Sequence, residues 1–144
     1  MTSAVPEGYR SVSPYLVTPD AEAVMTFAIK VFGATAIEPI LRRPDGRLMH
    51  VALTIGDSVV MIGTPPEGDV KMPAMLHVYV ADCDATYEAA VAAGAAPQMS
   101  PVLQPHGDRA AMVKDAGDCL WWIASKIEDV SPEEIVARAH GGAQ

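Results

Sequence analysis

Few residues of this chain carry chemistry in a recognisable pattern. There is no nucleophile elbow, no phosphate-binding glycine loop and no zinc spacing. The two cysteines, Cys83 and Cys119, fit neither a metal nor a redox motif. They read as reduced, buried or half-buried thiols. Positive charge is scarce, with 10 Lys and Arg against 18 Asp and Glu and a formal charge of -8. Such a surface repels phosphate backbones and anionic membranes, which argues against nucleic acid as a partner. No stretch reaches the roughly 18 apolar residues of a membrane span. The first ten residues are polar, hold Pro6 and Gly8, and do not read as a leader. The expectation is a cytoplasmic protein with no membrane partner. Half of its 144 residues are apolar, enough for one core of ordinary size.

What is present is periodicity. Residues 11–17 alternate and read as a strand, and Thr18-Pro19-Asp20 as a helix start. Val24, Phe27, Ala28 and Val31 fall at helical spacing, and Gly33 stops that helix. Residues 34–41 read as a strand, and Pro44-Asp45-Gly46 as a turn. Strands over 48–55 and 58–62 are joined at Gly56-Asp57, a hairpin signal. After a proline-rich linker the order repeats. Residues 75–80 read as a strand, 82–93 as a helix stopped by Gly94, and 97–103 as a weaker strand. A loop over 104–108 and strands over 109–114 and 119–124 follow.

The two halves match residue for residue. Gly33 corresponds to Gly94, Arg47 to Arg109, Gly56-Asp57 to Gly117-Asp118, and Ile62 to Ile123. The separation is 61 or 62 residues throughout. Each pair has a mechanical role as a helix stop, a turn or a hairpin, so the chain reads as a duplicated βαβββ unit. The expected organisation is α+β, one domain over 1–144, with module one at about 9–63, a linker over 64–74 and module two at about 75–126. A C-terminal helix over 131–140 starts at Ser131-Pro132-Glu133-Glu134, a capping box with proline at the first helical position. Glu133 and Glu134 therefore belong to a cap, not to an acid–base pair. This helix packs on the body or on a second subunit, and Gly141-Gly142 frays it.

Paired βαβββ modules resemble the vicinal-oxygen-chelate superfamily, whose curved mixed sheets surround a cleft. The strings Val5-Pro6-Glu7-Gly8-Tyr9, Ile55-Gly56-Asp57-Ser58-Val59, Leu76-His77-Val78-Tyr79-Val80, Gly107-Asp108-Arg109 and Val130-Ser131-Pro132-Glu133-Glu134 look closest to its glyoxalase/bleomycin-resistance group, which contains PhnB-like proteins. The resemblance covers nearly the whole chain. It implies a homodimer and a small-molecule ligand. It also implies that metal-dependent members draw one ligand from the first and one from the last strand of each module. Those positions map to Ser13 and Met61, and to Met75 and Trp122. None of the four is a ligand for a hard or borderline divalent ion. No metal or other cofactor is expected there, with a divalent metal as the alternative. A shift of two residues would bring in His77.

Strand alternation assigns faces. Val12, Leu16, Val60, Ile62, Leu76, Val78, Val80, Trp121 and Ile123 are expected against the helices. Ser13, Tyr15, Met61, Met75, His77, Tyr79 and Trp122 then share the opposite face. Aromatics, methionines, an imidazole and hydroxyls suit a small-molecule cleft, or a second apolar layer with its polar atoms satisfied internally. His77 is either a general base or ligand donor, or a buried neutral histidine. Trp122 either stacks on a ligand or packs in the core. His50 reaches the same face by alternation with Ala52 and Thr54, or is a solvated strand-end residue. His106 is a loop residue that closes over a ligand, or a plain turn residue. Arg109 clamps a carboxylate, or, like Arg47, makes a structural ion pair. The expected function is a binding protein of the bleomycin-resistance type that holds an aromatic or cationic compound without the usual metal. The alternatives are a glyoxalase-type lyase, isomerase or dioxygenase using a divalent metal or His77, and a dimer with no ligand.

Overall fold

Leu16 and Ile62 lie side by side on neighbouring parallel strands, and both are fully buried. Around that contact the first half of the chain is organised. The computed structural model describes residues 4–37 and 39–141. They divide into two compact units, the chain up to Ala74 together with Asp115–Cys119, and Met75–Lys114 together with the chain from Leu120 on.

In the first unit, β1 (Tyr15–Val17) leads into α1 (Ala21–Phe32). Two short pieces follow, β2 (Thr35–Ala36) and β3 (Leu41–Arg42), and then the hairpin β4 (Leu48–Ile55) and β5 (Ser58–Gly63). The sheet order is β1-β5-β4-β2, with β3 also on β4. β1 and β5 are parallel and the other pairs antiparallel. α1 buries Val24, Phe27 and Ala28 and ends at Gly33, whose left-handed φ of 66° lets its N–H bond back to the last turn.

The second unit repeats the order with β6 (Met75–Tyr79), α2 (Cys83–Ala92), β7 (Ala96–Leu103), β8 (Asp108–Lys114) and β9 (Leu120–Lys126). Its sheet runs β6-β9-β8-β7, again with first and last strands parallel. Asp82 caps α2 by accepting from the Ala85 N–H at 3.1 Å. β7 pairs on one side only, and Pro97 and Pro101 interrupt it. Trp121, Ile123, Val113 and Ala111 fill the core on the α2 side. The tail helix α3 (Pro132–Gly141) is capped by Ser131, whose Oγ accepts from the Glu134 N–H. None of its described residues is buried, and Arg138 ties it to Glu128. Gly142 lies outside the described residues.

The α+β class and the duplicated order are as expected, and four details differ. The first strand covers three residues, in register with Met61 to Gly63 of β5, and Pro14 ahead of it has no N–H to extend the ladder. Val12 is therefore not core: it is 84% exposed. The strand expected over 34–41 is two pieces around Pro39, with Glu38 outside the described residues, so the described sheets hold nine strand segments rather than eight. Asp108 opens β8 instead of ending a loop. The corresponding hairpins also differ. Gly56-Asp57 is a two-residue turn between Ile55 and Ser58, with Gly56 at φ 58°. Asp115–Cys119 is longer, and its left-handed residue is Asp118, at φ 66°. There the Asp115 carboxylate accepts from the N–H groups of Gly117 and Cys119. Gly117 is needed for close approach, since a Cβ would stand 2.9 Å from Val24 and 3.0 Å from Thr18.

Alternation separates the adjacent tryptophans, Trp121 being 0% exposed and Trp122 half-buried on the other face. Trp121→Ala should cost roughly 3–5 kcal/mol of stability through the cavity it leaves. Trp122→Ala should cost less. Urea midpoints of the two variants, measured side by side, check the order, and the reverse order would contradict this strand register.

Candidate functional site

The strand residues expected to share a face do so within each unit, Tyr15 with Met61 in the first and Met75, His77, Tyr79 and Trp122 in the second. In the first unit Tyr15 stands in register with Met61 across β1 and β5. Ser13 lies ahead of the strand, half-buried. The Tyr15 hydroxyl is 2.8 Å from Nδ1 of His50, with the rings tilted at 5.5 Å. His50 is thus not a solvated strand-end residue: it is the third residue of β4, turned toward Tyr15. The phenol fits there because Gly63 has no side chain. A Cβ at that position would be 3.1 Å from the Tyr15 oxygen and 2.3 Å from the Met49 carbonyl.

In the second unit Met75, His77 and Tyr79 project from β6, all exposed. His77 is in register with Trp122 on β9, Trp122 with Met112 on β8, and Met112 with Met99 on β7. One rung of the sheet therefore reads Met99, Met112, Trp122, His77. The His77 ring lies 4.8 Å from Tyr79 and 6.2 Å from Trp122, tilted to both. Edge and face contacts of this kind hold aromatic rings in fixed attitudes. Met99 and Met112 were not among the expected residues. Alternation from Trp122 marks only its own strand, and their place on the rung depends on long-range register.

At the edge of this face Tyr79 donates its hydroxyl proton to Asp108 Oδ2 at 2.7 Å. Nε2 of His106 lies 3.0 Å from the same oxygen. Asp108 is 2% exposed, whereas Tyr79 is 62% exposed. A charged group is buried here with two donors on one oxygen, as burial requires. Asp108 was not singled out from the sequence. The available signal was parity, since Asp108, Ala110 and Met112 alternate onto the Trp122 face. The bond to Asp108 raises the Tyr79 pKa above the ordinary phenol range, and desolvation and the nearby negative charge add to it.

Arg109 points the opposite way. It holds Asp84 of α2 through two hydrogen bonds of 2.6 and 3.0 Å, so it is a structural ion pair. Glu22, in the first turn of α1, makes the matching pair with Arg42. Arg47 bonds Asp45 within its own turn. Burial raises the pKa values of both cysteines, and Cys83 donates to the Ile123 carbonyl, which makes them packing thiols. A groove lined by Leu103, Gln104, Pro105, Glu128 and Arg138 also lies in the second unit. It is crossed by the Arg138–Glu128 ion pair and offers no ring to stack on.

Residues 11–123 match the family model described as "Glyoxalase/Bleomycin resistance protein/Dioxygenase superfamily". The chain belongs to this superfamily. The "Uncharacterized protein Mb0911c" of Mycobacterium bovis is 30% identical over 138 residues, covering 88% of this chain and 90% of that protein. The crystal structure of TioX from Micromonospora sp. ML1 superposes with a TM-score of 0.66 at 24% identity, covering 82% of this chain and 99% of that one. A glyoxalase/bleomycin resistance protein/dioxygenase family enzyme from Burkholderia phytofirmans PsJN gives 0.64 at 22% identity, covering 80% and 97%. These two likenesses show the fold.

The superfamily name raises the question of a metal. The residues in register with Met61 and Trp122 are Tyr15 and His77, two beyond Ser13 and Met75. These four residues do not make a donor set for a divalent ion either, because His77 is the one strong ligand among them. Tyr15 is engaged with His50, Met61 offers a thioether, and the indole of Trp122 has no lone pair to give. Among the described residues no three His, Cys, Asp or Glu side chains are grouped to hold a metal.

The Tyr79–Asp108 contact has a pH signature. Because the folded pKa of Tyr79 is raised, the stabilisation is complete below the ordinary tyrosine value and is lost as pH rises through the folded one. Ultraviolet titration of the phenols should show one tyrosine deprotonating late, and Asp108→Asn should return it toward the others. An unchanged titration would contradict the contact.

Proposed function

We propose that this protein binds a small molecule, holding a planar aromatic or cationic compound against the His77–Trp122 face without a metal. The observation that carries the reading is the set of neighbouring rings on one sheet face: an exposed His77 beside an exposed Tyr79 and a half-buried Trp122, with Met75 and Met112 on the same face. Such a surface gains free energy by covering apolar area and by stacking, and its thioethers adapt to the bound shape. Ser13, Tyr15 and Met61 form a second candidate binding surface, on the first unit. His77 is the candidate acid–base residue should the bound compound also react.

The rest of the reading is that the protein is a cytoplasmic homodimer of the PhnB-like group, with no nucleic-acid or membrane partner. The charge of -8 supports the exclusion of nucleic acid. Among the described residues no helix is long and apolar enough to cross a membrane.

A thermal-shift panel of planar aromatics and aromatic cations, with and without divalent metals, tests the proposal. Ligands at a hundredfold excess over their dissociation constant should add roughly 2.7 kcal/mol of stability without metal. Trp122→Ala should remove about 1–3 kcal/mol of that binding, by analogy with base–aromatic stacking, and still fold. Stabilisation by a metal alone would favour a glyoxalase-type lyase, isomerase or dioxygenase instead.

A further inference from the structure

The aromatic face ends at a buried carboxylate, and that carboxylate decides which way two protons point. A carboxylate only accepts hydrogen bonds. The Tyr79 O–H, 2.7 Å from Asp108 Oδ2, is therefore committed inward, and so is an N–H on His106 Nε2, 3.0 Å from the same oxygen. What remains of Tyr79 toward solvent is its oxygen lone pairs. Tyr79 and His106 are both open to solvent, while Asp108 is closed off from it. Contact continues from this edge to the rings, since Tyr79 lies 4.8 Å from His77 and His77 lies 6.2 Å from Trp122.

We infer that Asp108 sets the polarity of the ligand site. By taking the proton of Tyr79, it leaves that phenol oxygen as an acceptor toward solvent, so the compound bound against it carries an N–H or O–H donor beside its rings. The inference rests on the proposed binding function and narrows its ligand class. Asp108 acts through the phenol it orients and need not touch the ligand, which makes it a positioning residue.

The acidic surface draws any cation, so neutral probes are needed. 2-Naphthalenemethanol donates one hydrogen bond, and its methyl ether, 2-(methoxymethyl)naphthalene, donates none. Titration calorimetry with the full chain should show the alcohol binding about tenfold more tightly, the worth of one hydrogen bond. Tyr79→Phe keeps the ring and the net charge and should bring the two probes to within about threefold of each other. Asp108→Asn presents an amide whose NH2 can donate to the Tyr79 oxygen, which lets the phenol proton turn outward, and it should narrow the preference for the alcohol. Tyr79 is exposed, so Tyr79→Phe keeps the test decisive if Asp108→Asn fails to fold. Equal binding of both probes by the unmodified protein, weakened alike by Trp122→Ala, would overturn the donor rule and leave the aromatic site standing. A preference that survives Tyr79→Phe unchanged would overturn it too. Binding of neither probe would overturn both the rule and the site.

Discussion

Everything in this molecule depends on the parallel pairing of the first and last strand of each βαβββ module. Parallel neighbours cannot be joined by a tight turn, so the chain has to leave the sheet and return, and the excursion supplies the helix and the middle strands. In the first unit the pairing sets Leu16 against Ile62 toward the helix and Tyr15 against Met61 away from it. In the second it sets Leu76 against Trp121 and His77 against Trp122. One register therefore fixes the core and the exposed ring surface together. A slip of one residue would exchange them, with Trp121 brought to the surface and Trp122 to the core.

The two modules keep this frame and diverge around it. Glu22 and Asp84 hold the same place in the first turn of their helices, and each is gripped by an arginine, but Arg42 comes from β3 and Arg109 from β8. The tyrosine of β1 bonds a histidine directly, whereas the tyrosine of β6 shares a buried carboxylate with a histidine from a loop. In both cases a phenol is tied down at the edge of an exposed face. The second arrangement puts formal negative charge beneath it, and the first does not.

Much of the frame was legible in the sequence. The hairpin at Gly56-Asp57 was placed to the residue at Ile55 and Ser58, and alternation separated Trp121 from Trp122. These are local patterns, with two strands and their turn contiguous in the chain. What escaped was set by distant partners. β1 is paired only over Tyr15–Val17, and the segment over 34–41 holds short pieces on either side of Pro39 in place of one continuous strand. His50 and Asp108 were undervalued because their partners, Tyr15 and Tyr79, lie 35 and 29 residues away in the chain. Helical or strand periodicity carries no record of such meetings.

The free side of β7 is an open row of backbone groups, the kind of edge onto which a second extended chain can zip. Pro97 and Pro101 bring no N–H to the strand, and the register of β7 against β8 shifts between Pro97 and Met99 and again before Val102. An eight-residue strand with an apolar end at Val102 and Leu103 would otherwise be a nucleus for aggregation. The prolines cost the sheet some ladder, and they make its free edge a poorer template for a second strand.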